Sequence, residues 1–230
     1  MKQGKKWDLV VVGGGHAGIE AALIASRLNI STLLVTMDPK AIGRMSCNPS
    51  IGGLAKGQMV REIDVLGGSM GRFADLSGIQ FKVLNKSKGR SVWSPRAQVD
   101  KRQYEQLVLN SIKKSNVDVL AGEVLSIKTK NNKISHLVLR DGETIRCRAS
   151  VITCGTFLSG TIHIGDRKIL AGRMGEERSQ GLTESLCSLG FQSARLKTGT
   201  PPRLSKQSIN WSKTKTEYGD KSPVPFSYLT

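Results

Sequence analysis

The chain has 230 residues, of which 38% are apolar, with four cysteines and a net charge of +17. That is globular composition with enough chain for a sizeable core, which excludes a disordered segment and a disulfide scaffold. No apolar run approaches the roughly 20 residues that span a bilayer, and the run after the basic N-terminus is too short for a signal peptide. No Cys-x-x-Cys pair occurs, so no structural zinc is expected, and the cysteine usage reads as a reducing, soluble compartment.

Residues 8–15 form a β-branched run ending in glycines, which predicts a buried parallel strand entering a tight turn. Residues 16–28 have helical composition with Ala17, Ala21, Ala22 and Ala25 on one side. Residues 31–36 read as a second buried strand, completing a βαβ unit with a right-handed crossover. Residues 41–53 read as a loop. A helix follows over 54–66, with Val60, Ile63 and Leu66 at core spacing. Asp100 is the predicted N-cap of a helix whose apolar stripe is Tyr104, Leu107 and Val108. Residues 117–121 read as a third buried strand. Residues 123–129, 134–140 and 143–147 read as a β-meander turning at Asn131-Asn132 and Asp141-Gly142. An apolar strand over 149–154 ends at Gly155. Ser179 is expected to cap a short helix with Leu182, Leu186 and Leu189 inward and Gly190 as its stop. After Pro201-Pro202 the pattern dissolves.

The chemistry concentrates at Gly13, Gly14, Gly15, His16, Ala17 and Gly18, which satisfy Gly-x-Gly-x-x-Gly. Gly13 permits the turn, Gly15 lets a pyrophosphate approach the backbone, and Gly18 lets helix and strand pack closely. The helix N-terminus supplies free N–H groups and partial positive charge. The strand before, the helix after and the strand beyond are the context that gives the motif its meaning. An acid for a ribose hydroxyl is displaced: Thr36 closes the second strand and Asp38 lies beyond it, either reaching the ribose or serving as a solvated turn residue. The strand ending at Cys154-Gly155 resembles one that flavoproteins of the glutathione-reductase type place beside FAD, a likeness of fold only.

Cys47 lies among small residues ahead of the predicted helix. Two readings stand: a thiol of lowered pKa able to act as a nucleophile, or a buried inert cysteine. Cys154 and Cys187 read as packing residues. For His16 the backbone matters more than the ring. His136 and His163 lack ligand spacing, so no metal site is expected.

Basic residues are dense over 82–102, with Trp93, and over 195–215, with Trp211. Such stretches suit a phosphate backbone with unstacked bases, or simply form a solvated basic surface.

Six segments occur in register: Gly-Gly-Gly-His-Ala-Gly (13–18), Met-Ser-Cys-Asn-Pro-Ser-Ile-Gly-Gly (45–53), Val-Arg-Glu-Ile-Asp (60–64), Val-Trp-Ser-Pro-Arg-Ala-Gln (92–98), Gly-Thr-Phe-Leu-Ser-Gly-Thr-Ile-His-Ile-Gly (155–165) and Arg-Leu-Lys-Thr-Gly-Thr-Pro-Pro-Arg (195–203). Together they closely resemble the MnmG (GidA) family of FAD-dependent tRNA uridine 5-carboxymethylaminomethyl modification enzymes. The resemblance implies a cytoplasmic bacterial flavoenzyme, with an organellar one left open. It implies a homodimer when full length, acting with the GTPase MnmE on the wobble uridine of tRNA. It further implies NADH as reductant and methylene-tetrahydrofolate as one-carbon donor. Residues 13–18 would hold the FAD pyrophosphate. Val124 and Ser179 match positions that contact FAD, Gly155 lies beside the cofactor strand, and Cys47 matches a cysteine used as nucleophile at uridine C6.

The expected architecture is α/β, a Rossmann-type FAD-binding domain over 1–200 with a β-meander, truncated before completion, with 201–230 opening an inserted domain. Family members are much longer, so the chain reads as an N-terminal fragment. Another FAD- or NAD-dependent oxidoreductase without RNA, or a catalytically silent dinucleotide- or RNA-binding module, are the alternatives.

Overall fold

The computed structural model describes residues 5–45, 48–199, 202 and 204–230. In chain order its elements begin with β1 (Lys6–Val12), α1 (His16–Arg27), β2 (Thr32–Thr36), β3 (Ser50–Gly52), α2 (Gly57–Val65), α3 (Met70–Leu76), β4 (Gly78–Leu84) and β5 (Ser94–Val99). They continue with α4 (Lys101–Lys114), β6 (Val117–Ala121), β7 (Val124–Lys130), β8 (Lys133–Leu139), β9 (Thr144–Ile152), β10 (Ile162–Ile164), β11 (Arg167–Ile169) and α5 (Leu182–Ser188).

The main sheet runs β6-β2-β1-β9-β8-β7. Its first four strands are parallel, and β7 and β8 add on antiparallel. β1 is buried because its side chains alternate between two cores. Val11, with Leu34 of β2, faces Ile19, Ala22 and Leu23 of α1 and Tyr104, Val108 and Ile112 of α4. Val10 and Val12, with Leu33 and Val35, face Val124, Leu137, Leu139 and Ile145 of the meander and Leu182 of α5. Covering both faces is what lets a parallel sheet carry continuous apolar strands. The small residues of α1 (Gly18, Ala22, Ala25, Ser26) are buried, so the helix lies close on the sheet.

Local chemistry explains the boundaries. The Asp100 carboxylate accepts from the N–H groups of Arg102 and Gln103 at 2.8 and 3.0 Å and starts α4 as predicted. Asn131 and Asn132 both take positive φ, 52° and 59°, which matches a tight hairpin turn to the twist of its strands.

The structure corrects several expectations. The predicted third buried strand, β6, is an edge strand whose Asp118, Val119 and Ala121 are exposed. The last meander strand and the strand over 149–154 are one strand, β9, which pairs with β8 at its start and with β1 along its length. The loop over 41–53 contains β3, and the helix expected from residue 54 starts at Gly57. Leu66 is 79% exposed, and the buried residue in its place is Asp64. Ser179 does not cap α5: Gly181, with φ +88°, occupies that position without a side-chain cap bond. Cys187 is exposed rather than packed.

A second, antiparallel sheet, β3-β5-β4, sits beside α2 and α3. Residues 217–230 return to it. Asp220 N–H donates to Phe81 C=O at 2.8 Å, and the Asp75 carboxylate accepts from the N–H groups of Phe226 and Ser227. The Phe226 ring is buried in the core that α1 and α4 share. Among the described residues no helix is long and apolar enough to cross a membrane.

Candidate dinucleotide site

Four chain segments leave the main sheet side by side at the carboxyl ends of its parallel strands. Gly13 N–H donates to Val35 C=O, Gly122 N–H to Thr36 C=O and Thr153 N–H to Val12 C=O, at 2.8 to 2.9 Å. The turn from β1 to α1 therefore lies between the ends of β2 and β9. In open α/β sheets this crevice is where ligands bind.

The three motif glycines have separable roles. Gly13 has φ +111°, and a Cβ there would sit 2.5 Å from Thr153 C=O. A Cβ on Gly18 would sit 1.9 Å from Gly13 C=O. Gly15 differs: it is exposed, and a Cβ there would meet nothing within 4 Å. The first two glycines make contact with the protein, and the third opens a face of backbone. The first bond of α1 runs from Ile19 N–H to Gly15 C=O, so the amides before residue 19 precede the helical ladder. No side chain caps this end and no acid lies in its first turn, so the partial positive charge there meets no carboxylate of that turn. Exposed amides at an uncapped helix N-terminus are the kind of arrangement that suits an anion.

His16 turns its ring inward. Its Nδ1 lies 3.4 Å from the Tyr104 hydroxyl, and the rings meet edge to face at 5.5 Å. Burial lowers its pKa, which favours the neutral imidazole. Ala17 is exposed beside Gly15. Asp38 is a turn residue: its carboxylate accepts from Lys40 N–H at 2.8 Å and lies 3.7 Å from the Arg44 guanidinium.

Val124 and Ser179 come close to each other through Glu123. Val124 is buried in the core, 2% exposed as a whole residue. Ser179 is buried and bridged to Leu158, with its N–H on Phe157 C=O at 2.9 Å. The Glu123 carboxylate between them accepts from Arg140 Nε and Nη2 at 2.5 and 2.9 Å and from Gln180 N–H at 3.0 Å. Burial pushes this carboxyl up, but the hydrogen bonds from Arg140, Gln180 and Ser179 outweigh it and hold it below the usual carboxylate range. Gly155 has φ +58°, and a Cβ there would meet nothing, so the turn after β9 is open. Cys154 beside it is half-buried. Burial, and then the charge of Glu123, push its thiol up to about 11.

Cys47 lies outside the described residues. The basic stretch over 82–102 is partly neutralised: Lys82 pairs with Glu217, and Lys86 with Asp220 at 2.8 Å. Trp93 stays partly exposed under Arg90, 5.7 Å from its ring centre, and Trp211 is exposed. Sequence reasoning missed Glu123, Arg140, Arg44 and Glu176. Charged residues scattered over 130 positions carry no spacing signal until the fold gathers them.

Residues 8–230 match the family model described as glucose inhibited division protein A. The tRNA uridine 5-carboxymethylaminomethyl modification enzyme MnmG of Chlorobaculum tepidum is 49% identical over 224 residues, 96% of this chain and 36% of that protein. Its counterpart in Bdellovibrio bacteriovorus is 52% identical over 225 residues, 97% of this chain and 35% of that protein. The chain thus spans about a third of the length of these relatives. The crystal structure of Aquifex aeolicus GidA superposes with a TM-score of 0.92 at 47% identity, covering 98% of this chain and 38% of that one. A GidA-related protein from Thermus thermophilus, at 16% identity and a TM-score of 0.58, shares the fold.

Proposed function

The chain belongs to the GidA family, and from that premise we propose that it is the FAD-binding part of a tRNA-modifying flavoenzyme that acts with the GTPase MnmE. The whole enzyme adds a (carboxymethyl)aminomethyl group to C5 of the wobble uridine. The observation that carries the cofactor reading is the open backbone face at Gly15, where a Cβ would meet nothing, at an uncapped helix N-terminus.

The residues fit a dinucleotide. The amides of Gly14, Gly15, His16, Ala17 and Gly18 would hold the pyrophosphate. Val124 and Ser179 would stand on the adenosine side, and Gly155 would open the turn on the other side of the cradle. The chemistry that bound FAD supplies is two-electron transfer, with NADH as reductant and methylene-tetrahydrofolate as one-carbon donor. Cys47 is the nucleophile: its thiolate adds to uridine C6, the C5–C6 π electrons form the bond to the methylene carbon, and loss of the C5 proton with expulsion of the thiolate restores the ring. The exposed basic and aromatic side chains around Trp93 and Trp211 receive tRNA.

Titration of the chain with FAD, followed by flavin fluorescence, tests the cofactor reading. Saturable quenching that ADP reverses is the expected result, and a flavin signal that never saturates refutes it. Retention of tRNA that falls steeply with salt is expected of the RNA reading. Retention that salt does not change counts against it.

A further inference from the structure

A strap over residues 172–180 touches the segments that follow three strands of the main sheet. After β9, Ser159 N–H donates to Ser179 C=O at 2.8 Å, and Thr156 Oγ1 donates to Gly172 C=O at 3.4 Å. After β6, the Glu123 carboxylate takes the Gln180 N–H. After β2, the Arg44 guanidinium donates to the Glu176 carboxylate at 3.1 Å, and Arg173 joins the same oxygen at 3.3 Å. The strap therefore runs around the Gly13–Gly18 turn.

The sheet order says which half of a dinucleotide it faces. β2 and β6 lie on one side of β1, and β9 lies on the other. In this architecture the pyrophosphate sits at the turn after β1 and the ribose at the end of the next strand, β2. Thr36, rather than an acid, ends that strand. Arg44 lies just beyond, held between Asp38 and Glu176.

We infer that Glu123 and Glu176 are positioning residues, clasping the strap of residues 172–180 onto the ends of β6 and β2 and so fixing the wall for the adenosine half of the dinucleotide. This rests on the FAD reading above. Glu123 is the stronger anchor. Its side chain is 8% exposed and meets Arg140 fork to fork, the geometry in which charge-assisted bonds are strongest. Glu176 is more open, and its pair with Arg44 is correspondingly weaker. Neither carboxylate touches the nucleotide. Each acts through the strap, Glu123 by setting the position of Ser179.

The test titrates the 230-residue chain and its variants with FAD, and separately with ADP, which lacks the flavin half. Glu123→Ala is expected to weaken both ligands about tenfold. Glu123→Gln recovers part of the loss, because its amide oxygen still accepts from Gln180 N–H. Arg140→Gln and Glu176→Gln alter partly exposed side chains. Both are expected to weaken FAD and ADP alike, about threefold; Glu176→Gln leaves the ligand-free melting temperature in place, whereas Arg140→Gln lowers it by unpairing the Glu123 carboxylate. Unchanged FAD affinity in Arg140→Gln and Glu176→Gln overturns the proposal and leaves the FAD reading intact. A loss seen with FAD and absent with ADP also overturns it. A wild-type chain that binds neither ligand refutes the FAD reading, and the clasp falls with it.

Discussion

Gly18 rests directly on the carbonyl of Gly13: a Cβ built there would lie 1.9 Å from that oxygen and 2.7 Å from Thr153 Oγ1. The first neighbour is backbone, fixed by β1, and cannot step aside. Gly18→Ala is therefore expected to destabilise the fold by about 1–3 kcal/mol or more. Gly15→Ala should cost about 0.5–1 kcal/mol, the ordinary difference between these residues at an N-cap, yet weaken FAD by filling the face a phosphate needs. Urea unfolding and flavin titration of the two variants check the contrast. Equal stabilities would contradict it.

Phe226 anchors the returning arm of residues 217–230. Its ring is 2% exposed, and Asp75 and Asp64 hold the N–H groups of Phe226, Ser227 and Tyr228 at 2.8 to 3.0 Å. Phe226→Ala is expected to cost about 3–5 kcal/mol. Limited proteolysis should cut the arm of this variant first. Cleavage no faster than in the wild type would show that the arm is held by other means.

The Glu123 carboxyl sets a pH dependence of definite sign. Its ordinary value is 4.5, and the folded chain holds it lower. The stabilisation is thus complete above pH 4.5 and is lost as the pH falls through the lower native value. Glu123→Gln should narrow the stability gap between pH 7 and pH 3. An equal gap in wild type and variant would count against the assignment.

Thiol reactivity separates two of the cysteines. Cys187 is exposed, whereas burial and the charge of Glu123 push the Cys154 thiol up to about 11. Iodoacetamide at pH 8 is expected to label Cys187 first and Cys154 slowly, and Glu123→Gln should speed Cys154. Mass spectrometry of the labelled peptides reads the order directly.

Much of this molecule was legible from its residues. The strand–turn–helix at the start reads plainly because glycine spacing, β-branched run and helical composition agree. The Asp100 cap and the Asn131-Asn132 turn are local devices and appear as expected. What local reasoning misjudged depends on tertiary context. Nothing in residues 117–121 says that β6 lies at the sheet's edge. The join of two predicted strands into β9 depends on β1 running alongside. Ser179 resembles a helix cap, yet a bridge to Leu158 claims its backbone and Glu123 its surroundings. The second sheet escaped notice because Lys82, Arg96 and Gln98 interrupt its alternation, and its ion pairs form with residues more than a hundred positions away.

The double pairing of β9 also sets a timetable. β1 finds its inner neighbour only when residues 146–152 exist, since Lys6 is matched to Arg146 and Val12 to Ile152. At about 5–20 residues per second, a ribosome takes on the order of ten seconds to supply them. Until then the apolar edge of the nascent strand stands open beside β2. Its burial belongs to the later stages of synthesis, and chaperones that shield exposed strand edges would find their target within that interval.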